Sequence, residues 1–147
     1  MTCEEELEIY KNMVRLYKYD HLTGMKMRRD FEVETRAKMQ NQTFYLVMYD
    51  ATGLHKVNRE QGYEAGDTLI RQIAMDIQAI DGLWEVYRIG GDEFMALFFD
   101  NAGSTEVANA TSAMVYSADY TSFNKMVETV DKLVTEKKAK LNRRRGD

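Results

Sequence analysis

Tyr87-Arg88-Ile89-Gly90-Gly91-Asp92-Glu93-Phe94 runs directly into Met95-Ala96-Leu97-Phe98-Phe99. Apart from Arg88, apolar residues build toward a Gly-Gly pair, give way to two adjacent acids, and then resume. The pattern predicts a β-hairpin with the acids at its tip, because glycine adopts turn dihedrals at little steric cost. Bare backbone at that point also lets a second molecule approach closely. Two carboxylates on such a tip can hold a divalent cation against phosphates, since hard oxygen ligands suit magnesium. A Gly-Gly turn with two solvated acids is the simpler account of these residues taken alone.

Outward from the hairpin, periodicity organises the chain. Residues 43–49 are nearly continuously apolar and rich in aromatics, which predicts a buried central strand ending at Asp50. Residues 62–80 carry Ala65, Leu69, Ile73, Ile77 and Ile80 at helical core spacing, and Asp81-Gly82 breaks the pattern. The hairpin strands follow at 83–89 and 93–99, then a loop at 101–104 and a short strand at 113–116. A last helix over 122–141 turns Met126, Val130, Leu133 and Val134 inward, with Lys137, Lys138 and Lys140 near its end. Upstream, residues 3–18 place Leu7, Tyr10, Val14 and Tyr17 on one helical face. Residues 25–40 form a second helical pattern with Met25, Phe31, Val33 and Met39. This order of elements predicts an α+β fold, a sheet with helices packed against it.

Size and charge narrow the function. A chain of 147 residues is one domain, and 44% apolar with 30% charged residues is a globular balance. A net charge of −4 and a pI near 5.3 argue against a general nucleic-acid binder. The one cysteine, Cys3, has no internal partner and fits a reducing compartment. The longest apolar runs, 44–49 and 94–99, are six residues each, too short to cross a bilayer. The acidic start Met1-Thr2-Cys3-Glu4-Glu5-Glu6 is not a secretory signal. A soluble cytoplasmic domain without membrane contact is expected.

Three ordered segments carry a resemblance. Tyr87 to Phe94 reads as the signature of the GGDEF family, whose well-studied members are diguanylate cyclases. Asp20-His21-Leu22-Thr23-Gly24, running on to Arg28-Arg29-Asp30-Phe31-Glu32, resembles the family's entry motif. Asp50 through Lys56-Val57-Asn58 to Gly62-Tyr63-Glu64-Ala65-Gly66-Asp67 resembles its nucleotide-binding segment. The resemblance implies a palm-like, nucleotidyl-cyclase-like fold with an antiparallel-rich sheet flanked by helices. It divides the chain into a lead-in or dimer helix at 1–19 and a compact GGDEF domain at 20–147. The first helix would dock on a partner or a second copy, or pack on its own domain.

The resemblance also implies roles. Asp50, the Ala51 carbonyl and Asp92 would hold magnesium or manganese, and Glu93 would bind a second metal or help deprotonate a 3′-hydroxyl. Taken alone, Asp50 reads as a strand-end turn acid. Gly53, Leu54 and His55 form a turn whose N–H groups could meet phosphates. Asn58 and Asp67 match the positions that read guanine. A carboxylate accepts from the N1–H and N2–H₂ edge of guanine, whereas adenine presents an acceptor at N1. On local grounds Asn58 is a helix cap or turn residue and Asp67 an exposed first-turn acid. Lys138 stands at the place of a phosphate-binding lysine, or is a solvated lysine at a helix end. Arg143 could reach phosphate, or belong with Arg144 and Arg145 to a basic frayed tail.

Several positions depart from the family pattern. Thr52 replaces a second acid, His55 a phosphate-binding lysine, Asn142 an arginine, and Met27 an asparagine of the entry motif. Residues 100–121 are too few for the further helix and strand of typical members, so one peripheral helix is expected to be missing. The exposed sheet face would then need cover from a partner or a second copy. The Arg-x-x-Asp product-inhibition site is absent, with Asp81 and Trp84 at its positions. The leading expectation is a homodimeric cyclase that makes cyclic di-GMP from two GTP. The alternative is a degenerate GGDEF domain that binds GTP or a related nucleotide as a sensor. A partner-docking module and a cyclase forming a different product complete the set.

Overall fold

The computed structural model describes residues 1–144. In chain order the elements are α1 (Cys3–Lys18), β1 (Lys26–Met27), α2 (Arg28–Met39), β2 (Tyr45–Ala51), α3 (Leu54–Gln61) and α4 (Tyr63–Gln78). They continue with β3 (Leu83–Arg88), β4 (Glu93–Phe98), β5 (Ala110–Tyr116), a 3₁₀ turn (Ser117–Asp119) and α5 (Phe123–Arg144). The five strands form one mixed sheet in the order β1-β3-β4-β2-β5. The β1–β3 pair is parallel and the other pairs are antiparallel. The palm-like α+β architecture is therefore present.

The sheet interior explains the apolar runs. Along β2, Leu46 and Met48 join a core with Met126, Val130 and Val134 of α5, while Val47, Tyr49 and Ala51 join another with Ile70, Ile73 and Ile77 of α4. Side chains alternate between faces of a strand, so a strand covered on both sides reads as continuously apolar. Strand β4 splits the same way, with Met95 and Leu97 on one side and Phe94, Ala96 and Phe98 on the other. Phe31 anchors α2 on this core, edge-on to Tyr87 at 5.4 Å and tilted against Phe123 at 5.5 Å between ring centroids.

Several expected boundaries and burials need correction. Met25 precedes β1 and lies in the α4-side core rather than in a helix. Val33 is 65% exposed and Leu133 37%, because both stand on helix flanks rather than on the buried stripe. Helix α3, expected as a turn, is an additional element that buries none of its residues. The expected loss of a helix is seen: nothing helical lies between β4 and β5. The connecting loop partly covers the sheet in its place, with Ala102 and Val107 packed on the α4-side core and the Tyr49 hydroxyl donating to the Thr105 carbonyl. Met114 on edge strand β5 stays 49% exposed. Among the described residues no helix is long and apolar enough to cross a membrane.

Candidate active site

The β2–β4 register sets Asp50 directly across from Glu93. At the same sheet end the Ala51 N–H donates to the Asp92 carbonyl at 2.8 Å, closing the hairpin tip onto β2. Asp50, Asp92 and Glu93 each offer a carboxylate oxygen, and these oxygens all lie within 4.8 Å of one another. Asp50 is 7% exposed. Lys138 of α5 reaches the same point, with Nζ 2.9 Å from Asp50 Oδ1. At that distance the ammonium offsets part of the cost of burying the Asp50 carboxylate.

Electrostatics in this cluster follow from burial and like charge. Burial raises the Asp50 carboxyl above its ordinary 3.8, Lys138 opposes the rise, and Asp92 and Asp131 reinforce it. Burial likewise lifts Glu93 above 4.5, aided by Asp92, Asp50 and Asp131 and opposed by Arg28. Three acids that repel one another, with one lysine to offset them, chemically match a hard dication.

Beside the acids opens a cleft of about 580 Å³, lined by Ala51, Gly53, Leu54, His55, Lys56, Asp92 and Lys138 among others. Gly53 enables the turn from β2 into α3 because its φ of 73° lies in the left-handed region. Helix α3 begins at Leu54, so its first-turn N–H groups have no partners within the helix. The expected phosphate turn is thus a helix N-terminus on the cleft wall. Lys56 also lines the cleft, next to the histidine that replaces the family lysine. Thr52, at the position of the second acid, has its hydroxyl 3.5 Å from that of Thr111.

The other expected residues lie farther out. Asn58 stands on the second turn of α3 and Asp67 is exposed on α4, so neither lines this cleft. Gly66 leaves room for the Asn58 side chain: a methyl group there would overlap Asn58 Oδ1 and come 2.8 Å from its Cγ. Asn142 lines the cleft, whereas Arg143 turns back to donate Nε–H to the Ala139 carbonyl. Arg145 lies outside the described residues.

The hairpin tip is braced by residues to which sequence reasoning assigned no role. Arg88 donates from Nη2 to the Gly91 carbonyl at 2.8 Å and from Nη1 to both Asp20 oxygens at 3.0 and 3.1 Å. Thr23 donates to Asp20 through its N–H and its hydroxyl. Burial alone would raise the Asp20 carboxyl, but the Thr23 and Arg88 hydrogen bonds hold it below 3.8. The entry motif therefore fixes the Gly-Gly turn. The signal in the sequence was Arg88 itself, the one charge in an otherwise apolar approach to the glycines.

A family model described as "Diguanylate cyclase, GGDEF domain" matches residues 17–133. The chain belongs to the GGDEF family. Diguanylate cyclase DgcN of Escherichia coli is 30% identical over 107 residues, which are 69% of this chain and 26% of that protein. The chain thus spans about a quarter of the length of the curated relatives it matches. The coiled-coil and GGDEF structure of DgcB from Caulobacter crescentus, solved in complex with c-di-GMP, superposes with a TM-score of 0.72 at 19% identity, covering 92% of this chain and 88% of that one. The GGDEF domain of FimX from Pseudomonas aeruginosa gives 0.66 at 17% identity, covering 81% and 92%. At such identities the structural likeness establishes the GGDEF fold.

Proposed function

We propose that this chain is a diguanylate cyclase domain that condenses two GTP into cyclic di-GMP with release of two pyrophosphates. The observation that carries the reading is the convergence of Asp50, Asp92, Glu93 and Lys138 at the mouth of a cleft whose wall holds the α3 N-terminus. Asp50, Asp92 and the Ala51 carbonyl would hold magnesium or manganese. Such an ion, when bound, neutralises phosphate charge and lowers the pKa of an attacking hydroxyl.

Glu93 takes the proton of the 3′-hydroxyl or shares in metal binding. The N–H groups of Gly53, Leu54 and His55, with Lys138 and the neighbouring Lys56, hold the phosphates. Asp67 accepts from the guanine N1–H and N2–H₂ edge, and Asn58 adds a second contact, so GTP is favoured over ATP. Arg143 reaches phosphate only after leaving its Ala139 contact.

Each chain holds one GTP, and two chains meet face to face so that each 3′-oxygen attacks the other α-phosphorus. Helix α1 buries none of its residues, which supports reading 1–19 as a lead-in or dimer helix ahead of a compact domain at 20–147. The half-exposed Met114 edge leaves room for a partner protein beside the shortened loop.

The test is incubation with GTP and magnesium, with products identified by chromatography and mass spectrometry beside an ATP control. Asp92→Ala should abolish cyclic di-GMP formation. The replacement of the second acid by Thr52 favours one other reading, a nucleotide-binding domain without turnover. Tight GTP binding with no product, even at high protein concentration, would establish that reading instead.

A further inference from the structure

We propose that Lys138 is a resident placeholder for the metal. In the nucleotide-free protein its ammonium occupies the dication's electrostatic role at Asp50, and nucleotide phosphates draw it away. The inference rests on reading the acids as a metal–nucleotide site, and it adds a coupling that this reading does not require.

Three carboxylates with oxygens within 4.8 Å of one another need a positive charge nearby. Among the described residues, Lys138 is the only cation within ion-pair distance of any of them. It approaches Asp50 Oδ1 at 2.9 Å, the one ion pair that this buried carboxylate makes among the described residues. The lysine's side chain is 39% exposed, and Asp50 is its one ion-pair partner among the described residues. Its four-carbon stem allows the ammonium to move while α5 stays packed through Val130 and Val134. The same side chain lines the cleft that the α3 N-terminus also borders, so a second anionic partner lies within its swing.

A dication entering first must displace the ammonium from Asp50. A dication entering with a triphosphate need not, because the phosphates offer the ammonium a new partner. Metal binding is therefore weak alone and strengthened by nucleotide, and by linkage the metal strengthens nucleotide binding equally. The arrangement offsets part of the acids' mutual repulsion in the nucleotide-free protein.

Titration with Mn²⁺, following the electron paramagnetic resonance signal of the free ion, tests this on the nucleotide-free chain. Lys138→Met should bind Mn²⁺ about tenfold more tightly than the parent, the scale of one partly exposed ion pair removed as a competitor. Lys138→Gln provides a second neutral variant should the first fail to fold. Lys140→Met, the same charge change two residues away, should leave the affinity unchanged. A GTP analogue with a methylene bridge between the α- and β-phosphates should raise Mn²⁺ affinity in the parent far more than in the Lys138 variants.

Equal Mn²⁺ affinity in the parent and the Lys138 variants, with binding lost in Asp92→Asn, overturns the placeholder and leaves the metal site standing. Equal tightening by Lys140→Met overturns it as well, since the effect would then be general charge. No Asp92-dependent Mn²⁺ binding in any protein, even with the analogue, removes the metal reading and the placeholder with it.

Discussion

Replacing Glu93 by Gln removes one of three carboxylates whose oxygens lie within 4.8 Å of one another. Two unit charges at that separation repel by roughly 3 kcal/mol at an effective dielectric of ~20. The substitution deletes two such repulsions together with part of the attraction to Lys138. Solvent at the cleft mouth screens most of the remainder, so the net stabilisation is about 1 kcal/mol. For a chain of this size that is a rise of roughly 3 °C in melting temperature.

The sign with pH follows from Glu93 having a raised folded-state pKa. Below the unfolded value, near 4.5, both states are protonated and the wild type carries no penalty. As pH rises from there through the raised folded value, the wild type loses stability that the variant keeps. Thermal melts in EDTA should therefore show no gap at pH 4 and the full gap at pH 8. Magnesium should close it, because a ligand at ten times its dissociation constant stabilises the wild type by about 1.4 kcal/mol. Turnover should fall even though the variant is the more stable protein. If Glu93→Gln melts at or below the wild type at pH 8 without metal, the cluster is not under repulsion and the reasoning fails.

Two further substitutions separate positioning from folding. Gly66→Ala should push the Asn58 carboxamide aside, weakening GTP binding by tenfold or more in a titration while the melting temperature changes by less than about 3 °C, because a flexible side chain gives way rather than backbone. Arg88→Gln strands the Asp20 carboxylate and frees the Gly91 carbonyl, at a cost of about 2 kcal/mol, read as a melting temperature lower by roughly 5 °C near neutral pH. Because Asp20 has a lowered folded-state pKa, that gap is full above its ordinary 3.8 and shrinks as pH falls through the folded value. A gap that persisted unchanged at pH 2 would mean that Asp20 is not the partner that matters.

Much of this was legible because local signals and tertiary needs coincide. The glycines and acids of the hairpin mark a turn whether or not it binds anything, and β2 reads as buried because both its faces are. What stayed hidden was non-local or weakly patterned. Helix α3, Leu54–Gln61, has eight residues with only Leu54 and Val57 apolar, too few for a helical period to be read. Strand β1 has two residues, below any periodicity. The Arg88–Asp20 clamp and the Lys138–Asp50 pair join distant segments, so spacing alone could not reveal either. Helical period placed Leu133 inward because it cannot separate the flank of a stripe from its centre.

The shortened segment bears on the site less than its length suggests. The acids come from the end of β2 and from the β3–β4 turn, the unpaired N–H groups from the start of α3, and the lysine from α5. None of these elements lies in residues 99–109, where the peripheral helix is absent. Two contacts tie that loop to the site's frame, from the Tyr49 hydroxyl to the Thr105 carbonyl and from the Thr52 N–H to the Asn109 carbonyl. Asn109 makes the second from a positive φ of 66°, a conformation that asparagine tolerates better than most residues. The loop therefore fixes the end of β2, the strand that carries Asp50 and Ala51, without a helix of its own.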